Sequence, residues 1–433
     1  MKKNLTFALI VLLILSWYVS FNTHFGIPKE FDAHMKQAKE YEEKEIYEDA
    51  IAEYEQAQAC LKEKKIEIDL KIAEDFLAMH EENDYVSKME SILSSYEENE
   101  KAVIAFTDYY VENDKIPKAV QILQEENKKN PNHKEIKSYL DELKGSYTTI
   151  YASYQHVSRI RDGYAIVKTE NGYGVIDSTG SALVNAGYEK SGIFGTKIQY
   201  VPLCENGKWF YANEKEHKKL VPDVKYEFMD TFSEGRAVVC KNGKYGYVDE
   251  NLELQCEMGY ENATPFYNDV AAVKKDGKWA IVNDEFHLVT DFKYEDVARD
   301  EFGLCSIGER IFVKADGKYQ MINKEGKKVS DLTFDDAYPF MESGQPAAVK
   351  KGDKWGFVDE DGKVCIDYQY DNARSFTIEF APVKQEDAWG YIDLNNKQVI
   401  PCTFSEATPF YQDGTASVKN EEQWSMIKLN IYQ

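Results

Sequence analysis

The chain has 433 residues, a formal net charge of -24, 43% hydrophobic and 13% aromatic residues. This length suits two or three domains at roughly 100–200 residues each, and the apolar content excludes global disorder. Acids outnumber bases 76 to 52 and no basic stripe interrupts them, which excludes a phosphate-tracking nucleic-acid surface and leaves solubility and self-repulsion as the first meaning of the charge.

After Lys2 and Lys3, residues 4–28 carry no charged side chain, with an apolar heart at 5–21 (LTFALIVLLILSWYVSF). That run sits at the lower edge of the ~17–25 residues that cross a bilayer as a helix. A cleaved signal peptide is the alternative, but a cut after Ser20 would place bulky Tyr18 where a small residue is needed. The run therefore predicts a retained single-pass anchor over residues 1–29. Lysines before it and Glu30 and Asp32 after it orient the N-terminus inside, placing the bulk of the chain outside the cytoplasm. The seven cysteines (60, 204, 240, 256, 305, 365 and 402) form no C-x-x-C pair and read as small buried hydrophobes.

Residues 30–147 turn to Glu, Lys, Ala, Leu and Tyr at helical spacing. Ala38, Tyr41, Ala50, Tyr54 and Ala57 recur 35 positions on as Ala73, Phe76, Tyr85, Met89 and Ile92, and again as Tyr110, Ala119, Leu123 and Glu126 before Pro131. Small residues let antiparallel helices approach while the large ones fill the seam. The pattern resembles the tetratricopeptide repeat, with helix pairs at a period of about 34 residues. Three degenerate repeats start near Phe31, Ile66 and Glu100, and a capping helix follows near His133. Tyr85 stands where a small residue is usual. The resemblance implies a concave groove lined by the first helix of each pair, with Met35, Lys39, Leu70, Glu74, Ile104 and Asp108 as candidate contacts for a protein or peptide. A simple spacer is the alternative.

Residues 148–433 change to short alternating strands punctuated by Gly, Asn and Asp. Tyr173, Trp209, Tyr245, Trp279, Tyr319, Trp355, Trp389 and Trp424 recur at intervals of 36, 36, 34, 40, 36, 34 and 35. Pairs such as Asn171-Gly172, Asn206-Gly207, Asn242-Gly243, Asp276-Gly277 and Asp316-Gly317 precede the aromatic and predict tight hairpins. Four positions after it an Asp or Asn predicts a second turn, at Asp177, Asn213, Asp249, Asn283, Asn323, Asp359 and Asp393. Before each hairpin an aromatic is followed at plus six by an apolar residue, as in Tyr370 with Phe376; after Tyr294 that position holds Asp300 instead.

These units resemble the WG repeat family, on Trp355-Gly356, Trp389-Gly390 and the Tyr-Gly pairs at 173 and 245. Phe210, Ala280, Gln320 and Ser425 replace the glycine. The expected architecture is multidomain α and β: the anchor, an α-helical solenoid, then an all-β domain of eight units of ~35 residues, as a propeller-like ring or, alternatively, an open β-solenoid. The repeated aromatics are expected to pack between units rather than stand bare as a sugar platform.

No histidine pair, nucleophile elbow or phosphate loop occurs. No catalytic residue, cofactor or metal is therefore assigned. The stretch 302–310 (FGLCSIGER) lengthens one interval to 40 and marks an irregular loop, with Phe302, Glu309 and Arg310 as candidate contacts. The expected function is a membrane-anchored extracytoplasmic scaffold that binds protein partners. The alternative is an envelope carbohydrate binder or glycan-acting enzyme using the β domain.

Overall fold

The structure, a computed structural model, describes residue 16 and residues 27–432, apart from 62, 64, 97–98, 196–199, 214–217 and 306–308. The expected anchor thus lies largely outside the described residues. Among those described, no helix is long and apolar enough to cross a membrane. Two compact units divide the chain at Leu140 and Asp141, near the boundary expected at 147.

From Ile27 to the first strand the described residues form seven helices: α1 (Ile27–Glu42), α2 (Tyr47–Ala59), α3 (Ile66–Ala78), α4 (Glu82–Ser95), α5 (Glu100–Glu112), α6 (Ile116–Lys129) and α7 (Lys134–Gly145). Each of the first three pairs closes in the same way. The amides of Ile46, Glu81 and Lys115 donate to the carbonyls of Tyr41, Phe76 and Tyr110 at 3.0, 2.9 and 2.8 Å. Between them Glu45, His80 and Asp114 take positive φ of 59°, 61° and 55°. This 6→1 bond around a left-handed residue satisfies an orphan carbonyl at the end of the first helix and reverses the chain. The repeat period read from side chains is therefore also a period of the backbone. Ala38, Ala50, Tyr54, Ala57, Ala73, Ala119 and Leu123 are buried as the register requires. Tyr85 is buried too, its ring 4.7 Å from Tyr109 and 6.1 Å from Phe106, so the larger residue fills the seam with α5.

In the second unit, among the described residues, thirty strands form eight antiparallel sheets, an eight-bladed β-propeller. Blades 1 to 8 run over residues 156–188, 190–220, 228–249, 262–283, 296–334, 336–370, 372–404 and 406–429. The strand Tyr147–Tyr154, though first in the chain, is the outer strand of blade 8: Tyr147 pairs with Leu429, Ile150 with Met426 and Tyr154 with Trp424. That pairing closes the ring and decides against an open solenoid. It also covers the sheet edge that an unclosed array would expose.

The aromatic that opens a unit ends the outer strand of the blade before it at Tyr154, Tyr188, Phe334, Tyr370 and Phe404. Tyr188, Phe334, Tyr370 and Phe404 stand opposite Tyr173, Tyr319, Trp355 and Trp389. In blades 3 and 4 isolated bridges between Tyr245 and Tyr260 and between Trp279 and Tyr294 keep the pair where a full outer strand is missing. Trp389 and Tyr391 then share one core with Ala407, Phe410 and Val418 of blade 8. Tyr211, Tyr247 and Tyr391 reach across the seam, donating to the carbonyls of Asp230, Thr264 and Thr408 at 2.6, 2.8 and 2.9 Å.

The hairpins form at the expected pairs with both central φ positive in four blades, for example Asn206 at 52° and Gly207 at 66°. Blade 1 is a correction. Thr169 pairs with Gly172, so its turn is Glu170-Asn171, one residue earlier than expected. The glycine after the aromatic has a local reason: in blades 1, 6 and 7 the outer strand shifts register opposite it. A Cβ on Gly390 would lie 2.5 Å from the Ile400 carbonyl oxygen and 2.7 Å from the Cys402 amide. In blade 5, where Gln320 replaces it, the outer strand pairs directly at that point. Gly390→Ala and Gly356→Ala should each destabilise the propeller by about 1–3 kcal/mol in urea unfolding, the usual range for overpacking; unchanged midpoints would contradict this account of the glycine.

Candidate functional site

The two-residue first strand of every blade lies at the sheet edge away from the outer strand, and three positions beyond it stands the plus-six residue, apolar in seven units. Asp300, at that position in blade 5, is the exception that the sequence flagged. Its carboxylate is met by Arg159 from blade 1, the blade opposite in an eight-membered ring, with Nη2 2.5 Å from Oδ2. Both side chains are at least nine-tenths buried. The other oxygen, Oδ1, accepts the amides of Phe302 and Leu304 at 2.9 and 2.8 Å, so the same carboxylate shapes the irregular loop and holds the opposite blade.

Phe302 is thereby carried to the axis. The guanidinium of Arg159 lies 5.0 Å, and that of Arg161 5.7 Å, from its ring centroid, within cation–π range. Around them, Glu301 stands 3.3 Å from Arg159 Nε and accepts the Tyr338 hydroxyl at 2.7 Å. Arg161 donates to Ser233 Oγ at 3.3 Å, and Ser233 donates to the Phe266 carbonyl at 2.7 Å. Burial raises the Asp300 carboxyl against the pull of Arg159. For Glu301 burial acts upward too, but Arg159 and Arg374 prevail and lower it. Asp230 is pushed up to about 6 by burial, with its Thr231 amide bond and Arg161 opposing and Asp300 adding to the rise.

A cavity of about 90 Å³ opens beside this cluster, lined by Arg159, Arg161, Asp162, Tyr267, Thr377 and Tyr411 among others. It is well below the ~300–1,000 Å³ of a pocket for a small-molecule ligand. Among the described residues no group of His, Cys, Asp and Glu is placed to hold a metal ion. The arrangement is an ion-pair network across a nearly filled axis.

The other two residues of the irregular stretch go elsewhere. Arg310 Nε donates to the Glu360 carbonyl of blade 6 at 2.8 Å, and Glu309 lies 3.8 Å from both Arg310 and Lys324. Arg236 does the same work between blades 3 and 4, donating to the Asp284 carbonyl at 3.0 Å. Arg310 is thus a clasp between neighbouring blades, separate from Phe302.

In the helical unit, Met35 and Lys39 lie on α1, Leu70 and Glu74 on α3, and Ile104 and Asp108 on α5. Lys39 and Glu74 are exposed and the other four half-buried. Met35 packs against the core around Ala38 and Tyr54, and the Asp108 carboxylate accepts the Tyr139 hydroxyl of α7 at 2.7 Å. Beside Glu74, Asp75 is buried with one oxygen unpartnered. Burial, then Glu42, push its carboxyl up to about 7.

The repeated aromatics are not a platform. Trp209, Trp279 and Trp355 are 6, 2 and 8% exposed. The seven cysteines are free, three of them buried, but Cys365 is exposed.

A repeated carboxylate escaped the sequence reading. The residue after the opening aromatic of a unit caps that unit's hairpin. Glu189 accepts the Gly207 amide at 2.9 Å, Glu227 that of Gly243 at 3.0 Å, Glu261 that of Gly277 at 3.0 Å, Glu295 that of Gly317 at 3.0 Å and Asp335 that of Gly352 at 2.8 Å. Its signal was an acid at constant offset, hidden among 76 others.

Among solved structures, the chain is similar to PorZ, a bacterial surface component of the type-IX secretion system of Porphyromonas gingivalis, at 10% identity and TM-score 0.36 over 63% of this chain and 42% of that one. It is similar at 12% identity and TM-score 0.35 to the extracellular domain of a putative hybrid two-component system of B. thetaiotaomicron, over 66% of this chain and 43% of that one. For Porphyromonas gingivalis dipeptidyl peptidase 4 the values are 9%, 0.42, 62% and 56%. The chain thus spans about half or less of each of these three. No curated protein matches it. Five segments, 216–245, 245–279, 321–355, 355–387 and 389–424, match the family described as WG containing repeat.

The axial pair makes a stability prediction. Asp300→Ala leaves Arg159 short of its closest partner and should cost about 3–5 kcal/mol, the range for breaking a buried pair. Arg159→Met added to it should recover part of that loss. Urea unfolding of the three variants checks this, and a harmless single variant would contradict it.

Proposed function

We propose that this chain is an extracytoplasmic interaction protein, held at a membrane by residues 5–21, that offers its tetratricopeptide-like helical groove to a protein partner. The apolar run and its flanking charges support the location. The observation that carries the binding role is how the repeats use their side chains. Aromatics fill the seams between blades, the repeated acids cap turns, and the axis is closed by an ion pair. The three first helices of the other unit, by contrast, each offer a half-buried or exposed pair one turn apart.

Six repeat-derived positions alternate apolar and charged: Met35 with Lys39, Leu70 with Glu74 and Ile104 with Asp108. Such a strip suits an amphipathic segment whose apolar side anchors and whose charges set register. Leu70→Asp with Ile104→Asp should therefore remove the partner recovered by cross-linking and capture with the full-length chain, while leaving unfolding of the propeller unchanged. Capture that recovers no protein above background, or recovers the same partner with the double variant, would sink this reading.

A further inference from the structure

On the face of the propeller that carries the hairpin turns, the capping acid belongs to a larger lattice. A lysine precedes the repeated aromatic in blades 2 to 6, at Lys208, Lys244, Lys278, Lys318 and Lys354. It reaches the acid that opens the next unit where Lys318 meets Asp335 and where Lys354 meets Asp371, the latter at 2.5 Å. Acids occupy the opening position in six units, at Glu189, Glu227, Glu261, Glu295, Asp335 and Asp371. The two units without one are neighbours in the closed ring, blade 8 with Ser405 and blade 1 with Gln155. Those two blades and blade 7 before them lack the lysine, having Gln423, Gly172 and Ala388 in its place. The girdle of alternating charge therefore has one gap, centred on the sheet that closes the ring.

A wide cleft on this face occupies that gap. It measures about 1200 Å³ and includes both Gln155 and Ser405, above the ~300–1,000 Å³ of a pocket for one small molecule. Thr149, Thr403, Asn171 and Asn420 join them in its lining, as do Tyr154 and the largely buried Trp424. Among the described residues no Lys, Arg or His contributes, and Glu170, Glu421 and Glu422 are its charges. The local backbone has adapted to the missing cap: in blade 1 the Thr169 hydroxyl accepts the Asn171 amide at 3.2 Å, and the turn sits one residue earlier. The equivalent cleft between blades 6 and 7 keeps its charges, with Lys354 and Asp371 both in its wall.

We propose that this gap is a binding cleft for a neutral oligosaccharide. Hydroxyl and amide side chains both donate and accept, as sugar hydroxyls do, whereas ammonium only donates and carboxylate only accepts. A chain of neutral polar groups beside the half-buried Tyr154 ring matches the alternation of hydroxyls and C–H faces along a glycan. The three carboxylates disfavour an acidic polymer. This cleft is independent of the helical groove, so either reading stands without the other.

The test restores the girdle. Gln155→Glu with Ser405→Glu installs what six units already carry, so the fold should tolerate it, while placing two charges in the cleft. Calorimetric titration of the full-length chain with malto-, cello- and chito-oligosaccharides should show binding by at least one series, weakened tenfold or more in the double variant at an unchanged unfolding midpoint. Should that variant unfold, Thr403→Val with Asn420→Ala serves in its place, with the same loss expected. The proposal is overturned if no neutral series binds, if the variants bind as well as the parent chain, or if an oligolysine peptide binds while the sugars do not.

Discussion

The pairing of Tyr147–Tyr154 with Gln423–Leu429 is the constraint on which the propeller depends. Eight units of one kind could stack without end, each burying its face against the next. By lending the outer strand of blade 8 from the start of the unit, the chain makes the last blade complete only when the first residues are in place. The repeated pair of opposing aromatics is kept at this junction by Tyr154 and Trp424, so the seam between last and first blades has the chemistry of the others. Closure by strand pairing across 270 to 282 positions is a non-local contact with a real chain-entropy cost, and that cost is offset only once the intervening cores have formed.

The axis adds a second non-local tie. Arg159 and Asp300 are 141 positions apart and meet from opposite blades. A buried pair of this kind is not a cheap source of stability, since desolvation cancels much of the attraction. What it does supply is specificity: an apolar residue at Asp300, as in the other units, would leave Arg159 buried beside Phe302 with Glu301 as its remaining ion-pair partner. The pair, the loop amides on Asp300 and the two guanidiniums against Phe302 form one cooperative knot, which ties the irregular insertion of blade 5 to blade 1.

Much of this was legible in the residues because repetition multiplies weak signals. The helical register from Ala38 to Glu126 marked the pairs, and the backbone closes each of the first three in the same way at Tyr41, Phe76 and Tyr110. Eight recurring aromatics marked the blades and their seams, and Asp300 stood out because its seven counterparts are apolar. Partners across the ring were not legible: nothing near Arg159 announces a residue 141 positions away. Ring and solenoid share local pattern, so only the pairing of the two ends separates them. That Phe302 sits apart from Arg310 was hidden for a related reason, since residues eight positions apart on a loop entering a strand meet different neighbours. The capping acids were visible at a constant offset but indistinct in an acidic chain, and with them the gap at Gln155 and Ser405.

Hydrogen exchange of the native full-length chain, read at the amides of residues 147–150 and 423–429, tests the closed ring most directly. The account predicts that both segments exchange together, and only through the opening that unfolds the inner strands of the neighbouring blades. Fast exchange at 147–150, independent of a protected 423–429, would contradict it.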